Sequence, residues 1–282
     1  MIILYHNESK ITEIVSTEGN DFSKEINKNI ISVLFDFAHR FDDEILVWCH
    51  QNEKDNLNVT EIQSLFHHKK FLFSYNSSSH NFFDRRLGYI EDSPYIKINK
   101  KVRYATWQMS SQVGALHSSV LEACKNDLFE EKSFDYFLNS FGKRAITHGL
   151  FCYSEPRLLL NRSEKLSNKK ANLQQLFKFT KQHYKTRWVL LLLINLFVYE
   201  KKIAILPFLS SFFYKKRTFN PLRLNTISIE SSKKIIEKGT IDVLIPTIGR
   251  KPYLLDVLHN LASQTYLPKN IIIIEQNPLE NS

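Results

Sequence analysis

Two short polar clusters near the end of the chain have the residue types and spacing for chemistry. The first is Pro246, Thr247, Gly249 and Arg250, directly after the apolar run Ile241–Ile245. The second is Glu275, Gln276 and Asn277, directly after Ile271–Ile274. Hydroxyl, carboxylate and amide groups beside one fixed cation form a polar rim suited to a nucleotide. Ligands of parallel sheets bind beyond the carboxyl ends of the strands, which is where both clusters fall.

The elements that must position them follow from the pattern between them. Ile241–Ile245 reads as a short strand whose ladder Pro246 ends, and Thr247–Arg250 as a tight connection. Pro252 suits the first turn of a helix, which Leu254, Leu255, Leu258, Leu261 and Ala262 continue at helical spacing. Four successive isoleucines without alternation predict a second strand buried on both faces, as in a parallel sheet. Strand, helix and strand then make a βαβ unit with a right-handed crossover.

At these residues the chain resembles the family-2 glycosyltransferases of the GT-A fold. The match runs through V-L-I-P-T-I-G-R, then the helix ending in Q-T-Y-L-P-K, then I-I-I-I-E-Q-N. It resembles only the first 40 or so residues of that family's domain. The resemblance implies a Rossmann-like start of a GT-A domain. It implies a UDP- or GDP-linked sugar as donor and a glycan or lipid-linked acceptor. It places Pro246, Thr247, Gly249 and Arg250 on the first donor loop, and Glu275 and Gln276 on the second. Members often carry two acidic residues at the latter place; here the second is Gln276. The resemblance also implies a divalent metal, Mg2+ or Mn2+, held by a D-x-D motif, and a later acidic base. Neither has a counterpart in this segment. A two-stranded sheet cannot cover Ile271–Ile274, so the segment is expected to be the front edge of a larger domain, in a chain cut short.

Upstream lies a basic and apolar segment. Net charge is +9, yet residues 160–223 alone carry 14 Lys and Arg against Glu164 and Glu200. Leu173, Leu176, Phe177, Thr180, Tyr184 and Trp188 share helical spacing. An apolar run from Trp188 to Tyr199 and another from Ile203 to Tyr214, the latter broken by Pro207, follow. Neither reaches the ~20 apolar residues that span a bilayer. Lys181, Lys185, Arg187, Trp188, Lys201, Lys202, Lys215, Lys216 and Arg217 are the candidate membrane-proximal residues. Aromatic ends with basic flanks suit a helix lying on an anionic leaflet. A buried helical hairpin with a solvated basic rim fits the same pattern, and both readings stay open. No nucleic-acid motif accompanies the charge, so nucleic acid is not expected as a partner.

The first 160 residues alternate strand-like runs (Met1–Tyr5, Ile45–Cys49, Phe71–Tyr75) with helical ones such as Ile26–Phe37. This predicts an α/β domain. Its order faintly resembles the later half of a glycosyltransferase fold, so a degenerate, non-catalytic GT-A-like domain is the expectation. The expected division is therefore 1–160, 161–235 and 236–282. Several candidate residues here also have ordinary structural readings. Glu91 and Asp92 suit a surface turn, Asp135 a solvated helix face, and Trp107 and Met109 a core. His67–His68 lacks further ligands at metal spacing. Ser110 and Ser111 have no local His or Asp. Cys49, Cys124 and Cys152, widely spaced and odd in number, fit free thiols in a reducing compartment. With no signal peptide in the opening residues, the expected location is cytoplasmic, at the inner face of the membrane. The fold class expected for the whole is α/β. Two functions remain: a sugar-transferring enzyme, or a non-catalytic membrane-docking or interaction module with a vestigial nucleotide-binding end.

Overall fold

The computed structural model describes residues 1–276 except 17–18, 20–21, 88–97, 128–130, 162–168, 221–222, 231 and 233–239. Glu91, Asp92 and Asn277 thus lie outside the described residues. The chain forms two compact units, Met1–Glu230 and Ser231–Ser282.

The first unit is mixed α/β. Its strands are β1 (Ile2–Asn7), β2 (Lys10–Ser16), β3 (Ile45–His50), β4 (Phe71–Tyr75), β5 (Tyr104–Ala105), β6 (Val113–His117) and β7 (Phe151–Ser154). They form one sheet in the order β2-β1-β3-β6-β4-β7-β5. β1 pairs parallel to β3 and β4 parallel to β7, while β6 runs antiparallel between β3 and β4. Hence β1, β3, β4 and β7 all point the same way, and their carboxyl ends share one edge.

Alternation along the strands fills both faces of the sheet. Ile2, Leu4, Leu46, Trp48 and Leu72 face helices α1 (Ile30–Arg40), α3 (Ser118–Cys124) and α4 (Phe134–Ala145). Ile3, Tyr5, Val47, Phe71 and Phe73 face α2 (Val59–Leu65) and Leu158. Side-chain caps fix where helices begin: Asn29 accepts from Ile31 N–H at 2.8 Å for α1, and Ser133 from Tyr136 N–H at 3.3 Å for α4.

Helices α5 (Leu173–His183), α6 (Arg187–Glu200) and α7 (Ile205–Ser211) complete this unit. A capping box between Asn172 and Gln175 opens α5. Leu176, Phe177 and Phe179 of α5 pack with Val189, Leu192 and Leu196 of α6 against Phe82, Phe83 and Tyr136. The basic apolar segment is therefore part of the first unit's packing. Helix α6 ends at Lys201, whose φ of 54° makes a left-handed cap between the two expected apolar runs, but the second run is not broken at Pro207. Pro207 sits in the first turn of α7, where a missing N–H removes no helical bond. Among the described residues no helix is long and apolar enough to cross a membrane.

The second unit holds β8 (Asp242–Thr247), α8 (Lys251–Ala262) and β9 (Asn270–Glu275), with β8 parallel to β9. This is the expected strand–helix–strand order. The ladder continues past Pro246, which stands opposite Ile274, and Gln276 N–H donates to Thr247 O at 2.9 Å. A proline is tolerated because this strand pairs through alternate groups on one side. Ile271–Ile274 are 39–49% exposed, so the expected two-sided burial is not present within this unit. One helix cannot cover both faces of a two-stranded sheet.

Candidate functional site

In the second unit the two clusters predicted from sequence do meet. Thr247 and Glu275 are register partners at the ends of β8 and β9. Thr247 is 9% exposed, whereas Pro246, Gly249, Arg250, Glu275 and Gln276 are exposed. Gly249 has φ of 59°, a left-handed conformation that glycine takes without steric penalty. That turn delivers Arg250 to the position before α8, whose carbonyl accepts from Leu254 N–H at 3.0 Å. The result is a shallow rim: one buried hydroxyl residue, one carboxylate, one amide and one cation at a helix start. Such a rim can hydrogen-bond hydroxyls and meet an anion at a helix N-terminus.

A second polar site, not assembled by sequence reasoning, lies in the first unit at the carboxyl edge of β1 and β3. It is a cleft of about 690 Å³. Asn7 and Glu8 enter from the end of β1, and His50 and Asn52 from the end of β3. Asp135 faces it from the first turn of α4, and Lys132 and Lys169 line it as well. The Glu8 carboxylate is taken up by Lys169 and held below its usual range, first by that hydrogen bond.

Asp135 is the best-supported group in the cleft. Its Oδ1 accepts from Ser111 N–H at 2.9 Å. Burial pushes its carboxyl above the ordinary range, against the opposing pull of Ser111. Beneath it, His6 sits edge-on to Phe134, with ring centroids 5.3 Å apart. The His6 ring nitrogens lie 2.8 Å from Glu8 O and 2.8 Å from Ser111 O. Burial lowers that imidazole to about 4, so the ring is neutral and its single N–H serves one carbonyl at a time. These contacts reach Ser111 through its main chain. They are not the hydroxyl-to-imidazole order of a nucleophilic relay.

The other sequence candidates have structural partners. His68 stacks on Phe71 at 3.8 Å and accepts from Lys70 N–H at 3.2 Å. Trp107 stacks on Phe179, and Met109 is 2% exposed. Among the described residues no group of three His, Cys, Asp or Glu side chains could hold a metal ion. Cys49, Cys124 and Cys152 are free and buried.

The membrane-proximal candidates divide. Trp188 is 46% exposed, and Lys185, Arg187, Lys201, Lys202, Lys215 and Lys216 are exposed. Lys181 is half-buried, donating to Thr186 Oγ1 at 3.0 Å with its ammonium 5.3 Å from the Phe212 ring. Arg217 is instead internal: its side chain is 8% exposed and ion-paired with Glu131.

His6, His50 and the cleft role of Asp135 had no sequence signal beyond their place at strand ends and a helix start. Their convergence depends on the strand order. Compared with known proteins, the chain matches no family model, no curated protein and no solved structure.

Proposed function

We propose that the chain is part of a sugar-transferring enzyme whose β8–β9 rim receives a UDP- or GDP-linked donor, the acceptor being a glycan or a lipid-linked saccharide. The observation that carries this reading is the register pairing of Thr247 with Glu275. It sets side by side the two segments that resemble the family's donor loops. Thr247 and Glu275 would bond the ribose and base, and Arg250 would meet the diphosphate. The rim offers one carboxylate, Glu275, so it does not make the divalent-metal site that the resemblance implies. The test is donor binding by calorimetry on the full chain with UDP- and GDP-sugars. Binding that falls at least tenfold in Arg250→Ala supports the reading; absence of binding, or binding indifferent to that change, sinks it.

A second reading, a non-catalytic membrane-docking module, is favoured by the exposed apolar side chains of α6, α7 and the turn after α7. Leu190, Ile194, Phe197, Leu206 and Phe213 are 47–88% exposed there. The exposed cations Lys185, Arg187, Lys201, Lys202, Lys215 and Lys216 lie on the same stretch of chain. Each near an anionic leaflet would contribute ~1 kcal/mol. Preferential co-sedimentation with anionic over neutral vesicles supports this reading; equal partition onto both counts against it.

A further inference from the structure

The inner stripe of α6 borders a second cavity of a different kind. Trp188, Leu191, Leu192, Asn195, Leu196 and Tyr199 recur at helical spacing and line one groove of about 600 Å³. Its floor is apolar and closed, Leu192 being 7% and Leu196 2% exposed. Its sides are open, with Trp188 at 46%, Leu191 at 41% and Tyr199 at 81%. From Trp188 to Tyr199 the groove runs ~16 Å at the helical rise per residue, close to the ~15 Å of one leaflet's hydrocarbon. The volume is within the range of small-molecule sites.

Two guanidinium groups and one carboxylate are the charged groups of the groove. Arg85 and Arg86 line it from the segment after Phe83. Arg86 donates to Ala171 O at 3.2 Å, which fixes its place. Arg85 is exposed and has no acidic partner among the described residues. Glu200, the carboxylate on the lining, is bonded by Lys202 at 2.8 Å. An apolar trough beside Arg85, whose guanidinium has no acidic partner among the described residues, fits a molecule with a hydrocarbon chain and an anionic head.

We infer that this groove binds the single chain of an anionic amphiphile, a lipid with a carboxylate or phosphate head, with the chain along α6 and the head at Arg85 and Arg86. The inference does not rest on the donor reading, because the groove belongs wholly to the Met1–Glu230 unit. It is also distinct from adsorption onto a bilayer, which would use the opposite face of α6.

The probe is a doxyl-labelled fatty acid, added to the full chain below its micelle concentration, with tryptophan fluorescence as readout. Saturable quenching that Trp188→Phe removes is expected. Leu191→Gln, in the groove, should weaken binding at least fivefold, while Ile194→Gln, on the outer face, should leave it unchanged. Arg85→Glu should weaken the fatty acid about tenfold and leave the fatty alcohol of the same chain unaffected. The inference is overturned by quenching that never saturates, by equal effects of Leu191→Gln and Ile194→Gln, or by an alcohol that binds as tightly as the acid and is matched by indifference to Arg85→Glu. Donor calorimetry on the same variants should be unchanged whichever way this experiment falls.

Discussion

Arg217 and Glu131 form an ion pair inside the first unit, each side chain only 8% exposed. Lys178 joins them, its Nζ 2.9 Å from Glu131 Oε2, and Arg217 Nη1 also donates to Ser140 Oγ at 3.0 Å. The last residue of the Lys215-Lys216-Arg217 run thus anchors the chain after α7 to the turn before α4. Glu131→Gln leaves a buried guanidinium short of its counter-charge, a change that costs about 3 kcal/mol or more. Urea denaturation of the variant should show this loss. A loss under about 1 kcal/mol, the range of surface pairs, would show that the pair is not buried in solution.

The Asp135 carboxylate should cost stability at neutral pH. Burial raises its folded pKa above the unfolded value, so its stability contribution is fully present below the unfolded pKa and is lost as pH rises through the folded one. Asp135→Asn keeps an acceptor for Ser111 N–H and has no charge to bury. The variant should therefore be more stable than the parent at pH 7 and converge with it near pH 4. A variant less stable at pH 7 would mean that the carboxylate holds the α4 start in place.

Acid should weaken the first unit through buried imidazoles. His183 is lowered to about 3, chiefly by burial and then by Arg144, Arg217 and Lys143, and His6 to about 4. Between about pH 6.5 and these values the unfolded chain takes up protons that the folded chain refuses, so stability falls as pH falls through that window. His183→Gln keeps a polar partner for Ser140, whose Oγ lies 3.1 Å from His183 Nε2. It should flatten part of the fall between pH 6.5 and 4. An acid limb superimposable on the parent's would rule out the His183 contribution.

Gly114 on β6 has no room for a side chain. A Cβ there would lie 2.2 Å from the Trp48 ring and 2.6 Å from Phe73 O, a backbone atom that cannot swing away. Trp48 is itself pinned by its Nε1 donating to Ser110 O at 2.9 Å. Gly114→Ala should destabilise the unit by about 3 kcal/mol, the upper end for overpacking. Thermal unfolding of the variant at an unchanged midpoint would contradict this packing.

The sequence by itself determined the local elements. Runs at Met1–Tyr5, Ile45–Cys49 and Phe71–Tyr75 became β1, β3 and β4, because near-continuous runs of β-branched, aliphatic and aromatic residues suit strands buried on both faces. The β8–α8–β9 order and the adjacency of its polar ends were legible for the same reason: the spacing is short and the pairing local. Tertiary structure decided everything that depends on non-local order. Strand β6, inserted antiparallel between β3 and β4, brings Ser111 to His6 and Asp135 across 105 and 24 residues. Charge and hydropathy could not tell exposed Lys215 and Lys216 from buried Arg217, one residue further on. Composition records how many cations a segment has, whereas burial depends on which carboxylate the fold brings to each of them.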